Sequence, residues 1–368
     1  MRHLPRFRTS RIVSTAGVLA MAALNMGNQS CQQQPAAPPP RVLKMDVAVG
    51  VLRAQPISLP NGETVDFPTI ANDLFDQQIM ANAHFVISSV LQNGPTANAG
   101  AMFAARFAMR SADQSVMAAH GFALSGSVPA CLYDAPQALL GGEVISLSAD
   151  GGGGLSIGYG LGPATIGGSV KITDARLEVS ALTKDPLSLE PLESGRGVAH
   201  QSYDSFAFGF PAGVAIGLTF FYQTPIATTI RLGMTRALDG VVASYEATPG
   251  GSDWNDVWES RVLDAPQVAN GVTEILFREG SRAGILVGDT FSVTNLHYQW
   301  DGADCESKLL WRIAETHSPI ALATVSWTGA DVSMATVTHL QMVDIRPGAQ
   351  VKVKTLKRPP GAAGPLPN

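Results

Sequence analysis

Four consecutive glycines, Gly151 to Gly154, with Gly158, Gly160 and Gly162 close behind, have the composition of a phosphate-cradling loop. Phosphate binding needs such a loop to open a helix, so that backbone N–H groups and the helix dipole face the anion. Here the later glycines alternate with Ile157, Tyr159 and Leu161, a strand pattern, and no Lys-Ser/Thr pair follows. The acidic pairs Asp73/Asp76 and Asp253/Asp256 stand without histidine or metal-type spacing and read as solvated faces. Ser127, Ser156 and Ser205 lack the context of a nucleophile elbow. The seven histidines are scattered. The expectation is a protein without catalysis, cofactor or metal.

Cys31 offers a different chemistry, acylation. Arg2, Arg6, Arg8 and Arg11 form a basic n-region, and Ile12–Leu24 is an apolar stretch shorter than a membrane span. Two processing sites compete. Ala20-Met21-Ala22 resembles an ordinary signal-peptidase site; Ser30-Cys31 resembles a lipoprotein site, with Asn28 where Leu is usual. The polar, Pro-rich run Gln32–Pro40 has the composition of a tether, which favours acylation of Cys31. This reading makes 1–30 a signal peptide and 31–41 a tether. Cys131 and Cys305 either bridge or stand as isolated thiols, and we expect the thiols. No Cys/His cluster has zinc spacing.

Behind these residues lie two segments of strict alternation. Between Phe206 and Tyr222 every even position is apolar: Phe206, Phe208, Phe210, Ala212, Val214, Ile216, Leu218, Phe220 and Tyr222. The odd positions are mostly small. From Ile145 to Leu161 the apolar set is Ile145, Leu147, Ala149, Leu155, Ile157, Tyr159 and Leu161, broken by Asp150 and the four glycines. A period of two is β-structure, because successive side chains point to opposite faces. Both segments read as amphipathic hairpins. An apolar hairpin face is covered by helices in a soluble sheet, the commoner use of the pattern, or turned to lipid in a barrel.

The rest of the chain alternates strand and helix. Met45–Leu52 reads as a strand, Gln55–Glu63 as a loop, and Thr64–Ala81 as a helix with Thr64 as its cap. His84–Leu91 and Phe122–Val128 read as strands around an Ala/Met-rich helix, Ala97–Asp113. Val170–Leu182 is a long strand and Lys184–Ser194 a polar turn. Thr224–Tyr245 is an amphipathic helix with Ile226, Ile230, Met234, Leu238 and Val242 on one stripe. After a Pro/Gly/Ser linker come short β-runs at Val272–Arg278, Leu286–Asn295, Lys308–Ile313, Ala321–Trp327 and Ser333–Met342, the spacing of a small barrel or sandwich. The tryptophans Trp254 and Trp258 read as packing between the two parts, and Arg346 onward as a disordered tail. The expected division is 42–247, a linker at 248–259, a β domain at 260–346 and a tail at 347–368. With 368 residues there is room for both domains. A net charge of -5 and the lack of a basic stripe beyond the N-terminus exclude nucleic acid as a partner.

The element order, with its phrases HFVISSV, FALSGSV, GGGGLSIGYGLG, VKITDARLEVSAL and TPIATTIRLGMTRALDGVV, resembles the CsgG-like family of curli-production assembly and transport lipoproteins. The resemblance covers roughly Arg41 to Ala247. The C-terminal part is similar to the SH3-like domain of FlgT-type flagellar assembly proteins, through Gly280–Asp289, Phe291–Val293 and Pro319–Val325. The first resemblance implies an α/β (α+β) core that assembles into a homo-oligomeric ring, each subunit giving two hairpins to one outer-membrane barrel. The lipid-facing residues would be Leu155, Ile157, Tyr159, Leu161, Phe206, Phe208, Phe210, Val214, Ile216, Leu218 and Phe220, and the Gln55–Asn61 loop would line a constriction. The implied function is a secretion or assembly channel for an extracellular polymer or appendage, in the periplasm and outer membrane of a Gram-negative cell. The spanning stretches are short against the roughly 9–11 residues that a bilayer strand needs. The alternative is therefore a periplasmic interaction lipoprotein with no pore.

Overall fold

Val47, Val49 and Leu52 are β-branched or large apolar residues at the spacing of a buried strand, and all three are buried in Met45–Arg53, strand β1. The computed structural model describes residues 41–58, 64–90, 111–122, 135–152, 156–158, 170–208, 225–248, 253–265, 273–302 and 307–357. After β1, a small pairing of β2 (Ile57–Ser58) with β3 (Thr64–Val65) occupies the expected loop. Helix α1 (Phe67–Ala81) follows, then strand β4 (Phe85–Val90) and helix α2 (Ser111–Ala119). Three long strands come next: β5 (Ala138–Gly152), β7 (Val170–Lys184) and β8 (Pro191–Phe208), with short β6 (Ser156–Gly158) beside β5. Helix α3 (Pro225–Ala247) completes this layer.

The sheet order is β4-β1-β5-β7-β8, parallel across β4, β1 and β5 and antiparallel from β5 onward. Helices α1 and α3 bury one face against it. Ile226, Ile230, Met234, Leu238 and Val242 are all buried, as their spacing predicts. The second part is a closed barrel. Its strands are β9 (Glu259–Asp264), β10 (Thr273–Arg278), β11 (Thr290–Thr294), β14 (Ala321–Thr328), β15 (Val332–His339) and β16 (Gln350–Thr355). They close in the order β10-β15-β14-β11-β16-β9. Between β11 and β14 a two-stranded hairpin stands out, β12 (Leu296–Trp300) with β13 (Leu309–Ala314). The mixed α+β layer and the closed all-β barrel agree with the coarse part of the expected fold class, an α+β core followed by a small β barrel. Arg41–Pro359 forms one compact unit.

Several boundaries differ from the sequence reading. Thr64 pairs in β3, and Asp66 caps α1 instead, its carboxylate accepting from Thr69 N (3.3 Å) and Thr69 Oγ1 (2.6 Å). A carboxylate is the stronger cap acceptor, and Pro68 at the second helical position needs no N–H partner. The Ala/Met-rich helix is described over Ser111–Ala119, past its expected end at Asp113. Its expected start at Ala97 lies outside the described residues, as do 123–128 of the expected third strand. Phe122 closes the α2 turn, its N–H donating to Met117 O (3.1 Å). The polar turn is tighter than expected, since β8 begins at Pro191. The expected tail contains β16, which pairs with β9 and β11; Val351 and Val353 supply the alternation that its Lys and Gln neighbours mask.

A short helix, α4 (Trp254–Val257), joins the two parts. Asp253 caps it, accepting from Asn255 N (3.4 Å). Trp254 belongs to the core under the sheet helices and Trp258 to the barrel core, both fully buried. Their indole N–H groups donate to Leu43 O (2.7 Å) and Lys44 O (3.0 Å). Asn255 Oδ1 accepts from Leu43 N (3.1 Å), and its amide donates to Arg41 O (3.0 Å). The lead-in to β1 is thus strapped to the segment that the sequence presents as a linker.

Candidate functional site

The two alternating segments meet on β5, β7 and β8, and their roots are built by close packing. On β7 the inward residues are Ala175, Leu177, Val179 and Ala181, all fully buried. Opposite them on β8 stand Gln201, Ala199, Gly197 and Gly195. The small β8 side chains let α3 approach until backbones touch. A Cβ on Gly197 would strike the carbonyl of Gly233, and one on Gly233 would lie 2.7 Å from Leu177 Cδ2. The outward face of the same strands is polar. Arg196 pairs with Glu178, and His200 Nε2 lies 2.6 Å from Asp174 Oδ2, with the imidazole 58% exposed. This has the form of a surface ion pair of small energetic weight.

At the root of the first segment the alternation is interrupted. Pairing steps from Val144↔Val179 to Ser146↔Glu178, so Ile145 is the extra residue of a bulge. Val144 and Leu147 both face the core, while Ile145 is 46% exposed. The odd-numbered apolar face therefore starts at Leu147, and there it is covered by the chain's own helices.

Beyond that cover the strands go on. Thr229, in the first turns of α3, donates to Gln201 Oε1 (3.1 Å), and the helix starts at Pro225. Pairing continues past this level through Gly151↔Ile172, Gly152↔Lys171, Ile172↔Phe206 and Val170↔Phe208. At ~3.3 Å per residue this is about 10 Å of β5 past Ala149 and about 17 Å of β7 past Ala175, the residue opposite it. Short β6 pairs with β5, Asp150 opposite Ser156 and Ala149 opposite Ile157. The register thus places Phe206 and Phe208 on paired strands beyond the helix layer, and Ile157, opposite Ala149, level with Ala175 and Gln201 at its edge. Leu155, Tyr159, Leu161, Phe210, Val214, Ile216, Leu218 and Phe220 lie outside the described residues, as do Cys31, Cys131 and Cys305. Gln55 and Pro56, at the start of the expected constriction loop, are exposed.

The barrel occupies the opposite end. β5 runs parallel to β1, with Val47 opposite Ala138, and leaves it behind at Arg53↔Glu143. The barrel contacts gather where β1 and β5 begin. Arg278 Nη2 donates to Asp46 Oδ2 (2.7 Å) and Nη1 to Ala135 O (2.7 Å); Lys44 N donates to Ala283 O (2.8 Å). Gln137 bridges Asp46 N and Glu259 O. Arg312 on β13 reaches Asp185 (3.2 Å) and Glu259 (2.8 Å), beside the turn before β8. Burial disfavours its charge, but these two carboxylates more than restore it and raise its pKa. On the far side of β12–β13, Trp311 and Ile313 are 48% and 59% exposed, with the His297 ring 5.6 Å from Trp311.

Other titratable groups are shifted by burial. Asp76 is raised, first by burial and then by the Asp73 charge, so it is only partly the solvated residue that its spacing suggests. His84, edge-on to Trp254, is held below its ordinary value by burial. Among the described residues no group of three or more His, Cys, Asp or Glu could hold a metal ion, and no helix is long and apolar enough to cross a membrane. The latter says nothing of strands. The sequence reading missed the junction residues Asp46, Arg278 and Glu279, which carry no local motif. No protein-family model matches the chain, and no curated protein matches it.

Proposed function

We propose that this chain is a non-enzymatic cell-envelope lipoprotein with a CsgG-like core, acylated at Cys31, that assembles as a homo-oligomer to form or scaffold an outer-membrane secretion channel. The reading is carried by one observation: the pairing of β5, β7 and β8 runs on beyond the helix layer, into the two segments whose alternation is strongest. A lone hairpin leaves its edge groups unpaired in lipid, so spanning requires neighbours to close a barrel. The polar outward face, with Glu178, Arg196, Asp174 and His200, suits a water-facing wall. An SH3-like barrel at the far end, away from the hairpins, would meet periplasmic partners or an appendage base. Passage of cargo would be passive.

The second reading, a periplasmic interaction lipoprotein without a pore, is favoured by Leu147, Leu177 and Val179, which the chain covers with its own helices. Electron microscopy of the full-length protein extracted from outer membranes separates the two. Rings with a central hole, and loss of membrane insertion in Phe208→Asp and Ile216→Asp with the periplasmic domain still soluble, are the expected results. Closed monomeric particles, or normal insertion of both variants, would sink the channel and leave the interaction reading.

A further inference from the structure

Glu279, the first residue after β10, sits where local preference would not put it. Its φ is 80°, the left-handed region that disfavours residues with a Cβ, and its side chain is buried. The backbone is pinned there. Its N–H donates to Asp331 O (2.8 Å), and its carbonyl accepts from Ser333 Oγ (2.9 Å). The carboxylate points into the junction between sheet and barrel. Arg278 Nε lies 3.5 Å from Glu279 Oε1, and that oxygen has no hydrogen-bond partner among the described residues.

The charges around it do not balance. Asp46 on β1, Arg278 on β10, Arg282 in the 3-10 turn Ser281–Ala283 and Asp331 before β15 are the charged groups that face Glu279. Arg278 already serves Asp46 and Ala135 O. Arg282 serves Asp331 Oδ1 (2.8 Å) and Ile87 O on β4 (2.7 Å). Three carboxylates thus share two guanidiniums, and Glu279 is the one left with an unmatched oxygen. A buried carboxylate without a full partner is costly, while a carboxylic acid there evens the count.

We infer that the junction closes with a proton on Glu279, and that losing this proton loosens the barrel from the sheet. Burial first, and the Asp46 charge second, push this carboxyl well above the ordinary value of 4.5, against the pull of Arg278. A raised folded-state value means that the proton's contribution is complete below about 4.5 and is lost as pH rises through the value in the closed junction. The device does not depend on the channel reading.

Hydrogen exchange on the full chain, corrected for intrinsic rates, reads the opening of the junction at the Lys44 amide, which donates across it to Ala283 O. In the native protein its opening constant is expected to rise up to about tenfold per pH unit above the glutamate range, then level off. In Glu279→Gln it should stay flat. Carbon-13 titration of the Glu279 carboxyl in the native chain, assigned through its own backbone, gives a second reading that needs no variant. The carboxyl should titrate above the other glutamates. Equal pH slopes in the two proteins, or an ordinary titration of Glu279, would overturn the inference.

Discussion

Tyr245 shows how one buried group on α3 responds to its surroundings. Its hydroxyl donates to Thr183 Oγ1 (3.0 Å), and that hydroxyl in turn donates to Glu193 O (3.1 Å). Burial, with smaller pushes from Glu193, Glu259 and Asp185, raises the phenol from 10.0 to about 12, against the pull of the Thr183 bond. Because the folded value is the higher one, the group's contribution is whole below pH 10 and is lost as pH climbs towards 12. The loss amounts to about 2–3 kcal/mol. Thermal melts between those pH values should fall steeply for the native protein and less for Tyr245→Phe; parallel curves would show that other groups govern the alkaline transition. His84 works in the other direction. Its value is lowered, so its share of stability is present above 6.5 and is lost as pH falls. His84→Gln should then soften the acid limb of the same melts, and an unchanged acid limb would show that burial of this ring has no such weight.

Between α3 and β8 the spacing is set by glycine, and a single methyl tests it. Gly197→Ala drives a Cβ into the Gly233 carbonyl, backbone against backbone, where no rotamer offers relief. Overpacking of this kind costs about 3 kcal/mol or more, to be read as a lower urea midpoint, whereas an unchanged midpoint would show that the helix simply slides outward. The stripe of α3 was legible in the sequence because a single period of 3.6 runs its whole length. The hairpin roots were only half legible. The bulge at Ile145 turns the inward set from Ile145 to Val144 and Leu147, and no period can announce an inserted residue. Strands β9, β12 and β16 were missed because Arg, His, Gln and Lys interrupt their apolar residues and leave only short inward sets, such as Val262 alone or Val351 with Val353. The charged junction was not legible at all. Asp46 and Arg278 are 232 positions apart, and only the fold brings them together.

At the scale of the molecule, two apolar cores are joined by α4 and by that junction, with Trp254 in one core and Trp258 in the other. Removing the cation should uncouple them. Arg278→Ala leaves Asp46 buried beside Glu279 without its guanidinium, at a cost of about 3–5 kcal/mol. Hydrogen exchange should then show β9, β10 and β15 losing protection while β1 and β5 keep theirs; an even loss over the whole chain would mean that the two cores rise and fall as one. Asp289 adds a further tie. One oxygen of this fully buried carboxylate holds Arg41 Nη2 (2.5 Å) and Lys357 N (2.8 Å), and the other accepts from Leu286 N (2.8 Å). The first and last parts of the described chain therefore leave the barrel from the same corner. A pull on the segment before Arg41 would be shared among this carboxylate, the Gly284 carbonyl that accepts from Arg41 Nη1 and the Asn255 amide that donates to Arg41 O. Part of a mechanical load would thus enter the barrel wall and α4 before it reached β1 and the sheet.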